Sequence, residues 1–429
     1  MNQDAPAASA GRAAQPSPED LIDSPYAALR LGVTLILMTI GGCGMYVVAV
    51  ALPAVQAEFG VARADASLPY TLQMIGFGVG GVLMGRLADR FGIMVPIIIG
   101  GVCLGLGFVA AGMATSIWGF ILAHGVLLGL LGSSATFAPL IADTSLWFVR
   151  RRGIAVAICA SGNYLAGTVW PPIVQHFIAS LGWRETYFWL AGISCLSMLA
   201  LAPMMRRRPP MATVAAPGTA TLATHASDRP FGFTPGQAQA LLCVAGVACC
   251  VAMSMPQVHI VAYCGDLGYG AARGAQMLSL MLGFGIVSRL ISGAICDRIG
   301  GMRTLLLGSA LQGVALLFFL PFDSLLSLYI VSAMFGLFQG GIVPAYAIIV
   351  REYFAPKEAG ARVGTVIMCT LLGMALGGWM SGKVFDLTGS YHAAFVNGVV
   401  WNLVNLGIVL FLFARVRRLG TNPPSPRSA

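Results

Sequence analysis

"GRLADRFG" at residues 85–92 and "GAICDRIG" at residues 293–300 are one pattern, GxxxDRxG, written twice at a separation of 208 residues. Each follows an apolar run and reads as a tight turn at a membrane surface. Glycine lets the chain reverse, aspartate can accept from helix amides or basic partners, and arginine meets the headgroup level. One copy would be an ordinary turn. "GWRETYF" (182–188) and "GSYHAAF" (389–395) repeat the offset at 207 residues, and Pro139 followed by Trp147–Phe148 is echoed loosely by Pro344 followed by Tyr353–Phe354. Three landmarks in one order indicate a duplicated six-span unit, the parallel-repeat plan of some transporters.

The composition fits that plan. Of 429 residues, 57% are hydrophobic and 10% charged, with a mean hydropathy of +0.82. A soluble chain could not cover so much apolar surface with so few polar side chains. Twelve apolar stretches between residues 31 and 414 approach or exceed the roughly 18–20 residues that cross a bilayer. The expectation is an all-α membrane protein with twelve transmembrane helices in two pseudo-symmetric six-helix bundles. The bundles are placed at 31–205 and 239–414, joined by an Ala-, Thr- and Pro-rich linker at 206–238. A disordered tail at 1–30 precedes them and a short tail at 415–429 follows.

The net charge of +9 raises the question of nucleic acid, and its placement answers against it. Twenty of the 25 Lys and Arg fall on the side holding both ends. Arg63, Arg184, Arg273 and Lys383 fall on the other side, and Arg289 falls on neither. This is the positive-inside pattern, with both termini cytoplasmic. The ten cysteines lie in or beside apolar spans without CxxC spacing, so neither disulfides nor a zinc site are expected. No nucleophile–base set or metal cluster is visible, so no catalytic residue, cofactor or metal is assigned. A monomer in the lipid bilayer is expected.

Two stretches carry a family resemblance. "GRLADRFG" resembles the signature loop of the major facilitator superfamily. "WFVRRRGIAVAICASG" (147–162) is similar to the motif entering span five of monocarboxylate transporters and the oxalate/formate antiporter branch. The resemblance implies the major facilitator fold, a rocking two-bundle transporter, and gating by Gly85, Asp89, Arg90, Gly92, Gly293, Asp297, Arg298 and Gly300. Span one lacks the acidic, tryptophan-rich motif of the animal carriers. The kinship implied is with the bacterial branches, and hence with a bacterial inner membrane.

Arg289 is the residue a greasy chain should not keep without a reason. A guanidinium stays charged, and placing it in hydrocarbon costs roughly 2.5–3.5 kcal/mol by insertion scales. It lies eight residues before Asp297, about 12 Å above the turn at 1.5 Å per residue. No acidic residue is expected at that depth, so the cation is read as the anchor of a carboxylate, gripped in a two-pronged contact. The bland alternative has it satisfied by carbonyls and by Ser288 and Ser292. The resemblance adds a substrate-binding arginine in span eight, and places Gly285 where animal members often carry Asp.

His259, three residues after Pro256 in span seven, is the next candidate, as proton carrier or substrate contact. A histidine in bacterial relatives holds a similar place, and Phe137 stands where relatives often have a tyrosine. Tyr46, Asn163, Tyr164, Gln339 and Tyr346 are mid-span residues that read equally as helix glue or as cavity lining. His124 reads as structural, and the glycine pairs 76/80, 81/85, 125/129 and 373/377 read as close helix contacts.

The functional expectation is secondary active transport of small organic monocarboxylates, lactate- or pyruvate-like, by proton symport. A dicarboxylate/formate-type anion exchanger is one alternative; a dicarboxylate such as oxalate would want a second central cation, and Lys383 lies at the outer end of its span. Drug or metabolite efflux on the same fold is the other alternative, weakened by the lack of an intramembrane carboxylate.

Overall fold

In the computed structural model, which describes residues 21–148, 150, 152–208 and 229–421, the helices begin and end where the sequence supplies caps. Ser24 Oγ accepts from the amide of Ala27 at 3.2 Å, with Pro25 in the first turn of the first helix. Thr234 and Gln237 form a capping box at the start of the seventh. The last glycine of each signature loop ends a helix with positive φ, 88° at Gly92 and 81° at Gly300. Only glycine adopts that conformation at little cost.

The helices are α1 Pro25–Phe59, α2 Arg63–Phe91, α3 Met94–Gly112, α4 Ile117–Trp147, α5 Arg152–Leu181 and α6 Trp183–Met205. The second bundle comprises α7 Pro235–Asp266, α8 Ala271–Ile299, α9 Gly301–Phe318, α10 Leu325–Tyr353, α11 Pro356–Thr388 and α12 Tyr391–Thr421. Among the described residues eleven helical stretches are long and apolar enough to cross a membrane, and the 30-residue α5 completes twelve. No strand occurs among the described residues. Twelve crossings return the chain to the face where it began, here the terminal face; the opposite one is the far face.

Helices overrun three of the expected boundaries, one of them where α7 starts at Pro235 inside the stretch expected to be linker. α1 starts inside the stretch expected to be a disordered tail, because Ser24 and Pro25 nucleate it and Arg30 is tied down. The Arg30 guanidinium is buried against Asp143 (Nη2–Oδ2 2.9 Å) and over the ring of Trp147 at 4.5 Å, joining α1 to α4. α12 continues past residue 414 to Thr421. The tail to residue 20, the linker at 209–228 and residues 422–429 lie outside the described residues.

Three membrane helices are broken at mid-depth. α1 is interrupted at Gly42, and α10 turns at Gly340–Gly341. α4 widens into a π-helix at Ala123–Gly132 and tightens into a 3₁₀ turn at Ser133–Thr136. Such breaks free backbone carbonyls that need partners away from water. Trp170 Nε1 takes one of them, donating to Thr39 O at 2.7 Å. Glycines let helices touch: a Cβ at Gly76 or Gly80 would strike the backbone of α4, and one at Gly373 would lie 2.5 Å from Val247 O. A Cβ at Gly81 would meet Ala138 of α4 only at an ordinary 3.7 Å and one at Gly85 would meet nothing within 4 Å, so the 81/85 pair makes no close approach here. All ten cysteines are free thiols.

The bundles meet closely on the far half. The Arg63 guanidinium pairs with Asp266 (3.2 Å) and donates to Tyr391 Oη. The Asp386 oxygens accept the amides of Arg63 and Ala64, each at 2.8 Å. Deeper in, Thr71 Oγ1 donates to Ala375 O at 3.0 Å. Toward the terminal face, Asp89, Arg90 and Arg298 are exposed, and a Cβ at Gly85, Gly293, Gly360 or Gly364 would meet nothing within 4 Å. The seam is therefore closed at the far face and open toward the terminal face.

Candidate functional site

Arg289 sits at the apex of that opening. It is ten residues from the terminal end of α8 and eighteen from its far end, or about 15 Å and 27 Å along the helix. Its guanidinium bridges the bundles. Nη1 donates to Ala160 O of α5 at 3.0 Å, Nε reaches Gly340 O of α10 at 3.5 Å, and Cζ stands 4.3 Å over the Tyr164 ring. The acceptor at Gly340 exists because α10 is broken there. Ser288 and Ser292 do not bind the cation; both pack against the glycines of that break.

Among the described residues no carboxylate forms an ion pair with Arg289, and its Nη2 makes no hydrogen bond. The charge is held by two carbonyls and an aromatic face, with one edge free. Carbonyl dipoles and a ring quadrupole stabilise a guanidinium without neutralising it.

Tyr164 fits under the guanidinium because residue 285 has no side chain: a Cβ there would lie 2.5 Å from Tyr164 Cε1. Tyr46, 7% exposed, lies within electrostatic reach of both Tyr164 and Arg289, and packs with Leu282 against Gly167. Arg289, Tyr164 and Tyr46 are thus brought together. Gln339 is fully buried beside Gly340 and accepts from Gln257 Nε2 at 2.9 Å. Phe137 pairs with Phe77 of α2, centroids 5.7 Å apart, at the irregular part of α4. Asn163 is half-buried and faces the break at Gly42.

Other expected residues are elsewhere. His259 is not beside Arg289. It lies seven residues from the far end of α7, fully buried, with Nε2 2.8 Å from Gly378 O and its ring 5.9 Å from that of Tyr391. It belongs to the closed far layer. Tyr346 does not line the opening either, because its hydroxyl accepts from Asn405 Nδ2 at 2.5 Å inside the second bundle. His124 is buried between Gln73 (3.0 Å) and Tyr187 (3.2 Å), a packing role. Among the signature residues, Gly92 and Gly300 shape their turns, while Asp89 and Arg90 have no partner across the seam among the described residues; the Asp297 side chain lies outside them.

Sequence reading passed over Gln257 and the Arg63–Asp266–Asp386 cluster. Gln257 follows Pro256 directly, and a polar residue beside a helix proline was the available signal. Among the described residues no group of three His, Cys, Asp or Glu is placed to hold a metal. The apex offers one cationic edge, two phenol-bearing rings and freed backbone carbonyls. That suits one small anion.

Known proteins share the family and the fold. The family model described as Major Facilitator Superfamily matches residues 34–331 and 297–429. Monocarboxylate transporter 13 of Rattus norvegicus is 27% identical over 358 residues, covering 81% of this chain and 78% of that protein. Agnestins efflux protein AgnL12 of Paecilomyces divaricatus is 22% identical over 338 residues, covering 78% and 74%. The crystal structure of the nucleoside transporter NupG superposes with a TM-score of 0.69 at 13% identity, over 91% of this chain and 99% of that one. These two relatives are a mammalian and a fungal protein, whereas a bacterial branch was expected from the motifs.

Proposed function

The chain belongs to the Major Facilitator Superfamily, and on that premise we propose that this membrane transport protein carries small organic monocarboxylate anions, of lactate or pyruvate size, by alternating access. The observation that carries this reading is the free edge of Arg289 at the apex of the open seam. A planar guanidinium with an unpaired edge matches a carboxylate, and one cation balances one charge. The relatives named as monocarboxylate transporters support it. Lys383, exposed near the far end of α11, is too distant to supply the second cation a dicarboxylate would want.

Proton coupling belongs to the same reading, with both termini cytoplasmic and Asp89 and Asp297 in the closing loops. Since no carboxylate among the described residues pairs with Arg289, a proton travels either on the substrate acid or through His259. Efflux of a larger metabolite is the second reading, favoured by the fungal relative named as an efflux protein.

The test is uptake of labelled monocarboxylates into proteoliposomes, with and without a pH gradient, by the parent protein and Arg289→Lys. Lysine keeps the charge and loses the fork, so uptake should fall by roughly 10- to 150-fold for the roughly 1.5–3 kcal/mol of a charged hydrogen bond. Saturable uptake at the parent rate by Arg289→Lys would end this reading.

A further inference from the structure

A groove of about 500 Å³ runs along the outside of the α5–α8 seam, on the far half of the molecule. Its body is apolar, formed by Pro172, Leu280, Gly283, Phe284 and Val287. Its mouth is polar: Tyr329 Oη donates to Gln276 Oε1 at 2.5 Å, and the exposed Arg273 reaches the same oxygen at 3.3 Å. We propose that this groove is a binding site for one acyl chain of a phospholipid of the far leaflet, with the lipid phosphate at Arg273.

Position, length and charge select that occupant. Gln276, Leu280, Gly283 and Val287 recur at intervals of four, three and four, one stripe of α8. Arg289 lies two residues beyond Val287, about 200° round the helix, so the groove faces away from the candidate substrate site. Phe284 and Val287 are 38% and 45% exposed on this side. Between groove and apex the wall is closed: Ser279 Oγ donates to Thr168 O, and Leu282 packs on Gly167. A substrate entering here would meet that wall, whereas an acyl chain needs no exit.

From Gln276 to Val287 is eleven residues, about 16 Å along the helix, roughly half of a 30 Å hydrocarbon core. The groove therefore has the depth of one leaflet. Gly283 makes the room, since a Cβ there would meet only Thr168, at 3.5 Å. At the interfacial end, a lone exposed cation beside an amide and a phenol suits a phosphate. Because α5 and α8 belong to different bundles, a chain lying in the groove touches both while the far face is closed. Opening that face separates the walls, so the bound lipid favours the closed state.

A photoreactive benzoylphenylalanine at position 284 tests this in bilayers of defined phospholipid. The control is the same residue at position 403, which is more exposed to lipid on α12 (Leu403 is 58% exposed) and at similar depth. After illumination, mass spectrometry should find an intact phospholipid adduct several-fold more abundant at 284 than at 403. Arg273→Ala and Gly283→Leu should each bring that excess down to the control level; Arg273 is exposed, so its replacement leaves the fold intact. Equal yields at both positions, meaning ordinary boundary lipid, would overturn the proposal. So would an excess indifferent to both substitutions, or an adduct of free fatty acid alone.

Discussion

Asp386 caps the helix that begins at Arg63, across the boundary between the two bundles. α2 has no capping side chain of its own, and its N-cap residue is Ala62. The Asp386 carboxylate, from the far end of α11, accepts the amides of Arg63 and Ala64 instead, while the Arg63 side chain reaches Asp266 and Tyr391 and lies over Phe385 at 4.7 Å. A carboxylate at a helix N-terminus meets unpaired amides and the positive end of the dipole. Here the cap exists only while the far face is shut.

Asp386→Ala should therefore weaken the far-closed state selectively. Loss of an N-cap costs about 1 kcal/mol, a shift of roughly fivefold toward the far-open state. Spin labels at the far ends of α2 and α11 should report a larger population of long distances. An unchanged distance distribution would show that the cap follows closure without stabilising it.

The signature loops should behave in the opposite sense. Asp89 is exposed and, among the described residues, makes no ion pair here, where the terminal face is open. Asp89→Asn should leave this state and its substrate affinity as they are, and slow turnover by weakening the state in which that face closes. Equilibrium binding set beside exchange rate separates the two effects, and a large loss of affinity at unchanged turnover would count against the role.

How far the sequence could be read depends on how local each cause is. The duplicated turns were legible because the requirement lies within eight residues, and Gly92 and Gly300 have the positive φ the pattern implied. Arg289 was legible because a lone charge in an apolar run is conspicuous. The Arg63 cluster was not: Asp266 and Asp386 are 203 and 323 residues away, and nothing near Arg63 announces them. Tyr346 stayed open between helix glue and cavity lining because the turn at Gly340–Gly341 lies just before it, so its orientation was not set by counting along an unbroken helix. Pro256 drew attention to His259, three residues on, while the polar side chain that meets Gln339 is Gln257, one residue on.

Residue 285 should control whether the central cation is available to a substrate. Gly285→Ala displaces the Tyr164 ring and removes a contact worth about 0.5–2 kcal/mol, so affinity should fall up to about 30-fold at every pH. Gly285→Asp adds a carboxylate one helical turn from Arg289, able to pair with it. Above the aspartate's titration range that pair excludes the substrate; protonation at lower pH releases the guanidinium. Binding to Gly285→Asp should improve as pH falls, while Gly285→Ala shows no added pH dependence. Parallel pH profiles for the two variants would mean that the side chain at 285 acts only through its bulk.

His259→Gln decides how a proton would travel. The imidazole Nε2 lies at hydrogen-bond distance from Gly378 O, and Nδ1 has no partner. As the only donor facing a carbonyl, Nε2 carries the hydrogen. Glutamine can supply the same N–H, so the closed far layer should survive the exchange. Along their helices His259 is about 10 Å from the far end and Arg289 about 27 Å. Such a separation gives the imidazole no direct contact with an anion at the apex. Uptake driven by a pH gradient should therefore keep its profile and its accumulation in His259→Gln, with the proton travelling on the substrate acid. His259→Ala, which leaves Gly378 O without its donor, should instead loosen the far layer by about 1–3 kcal/mol, visible with the same spin labels. Loss of gradient-driven accumulation in His259→Gln, with facilitated exchange intact, would return the coupling role to the histidine.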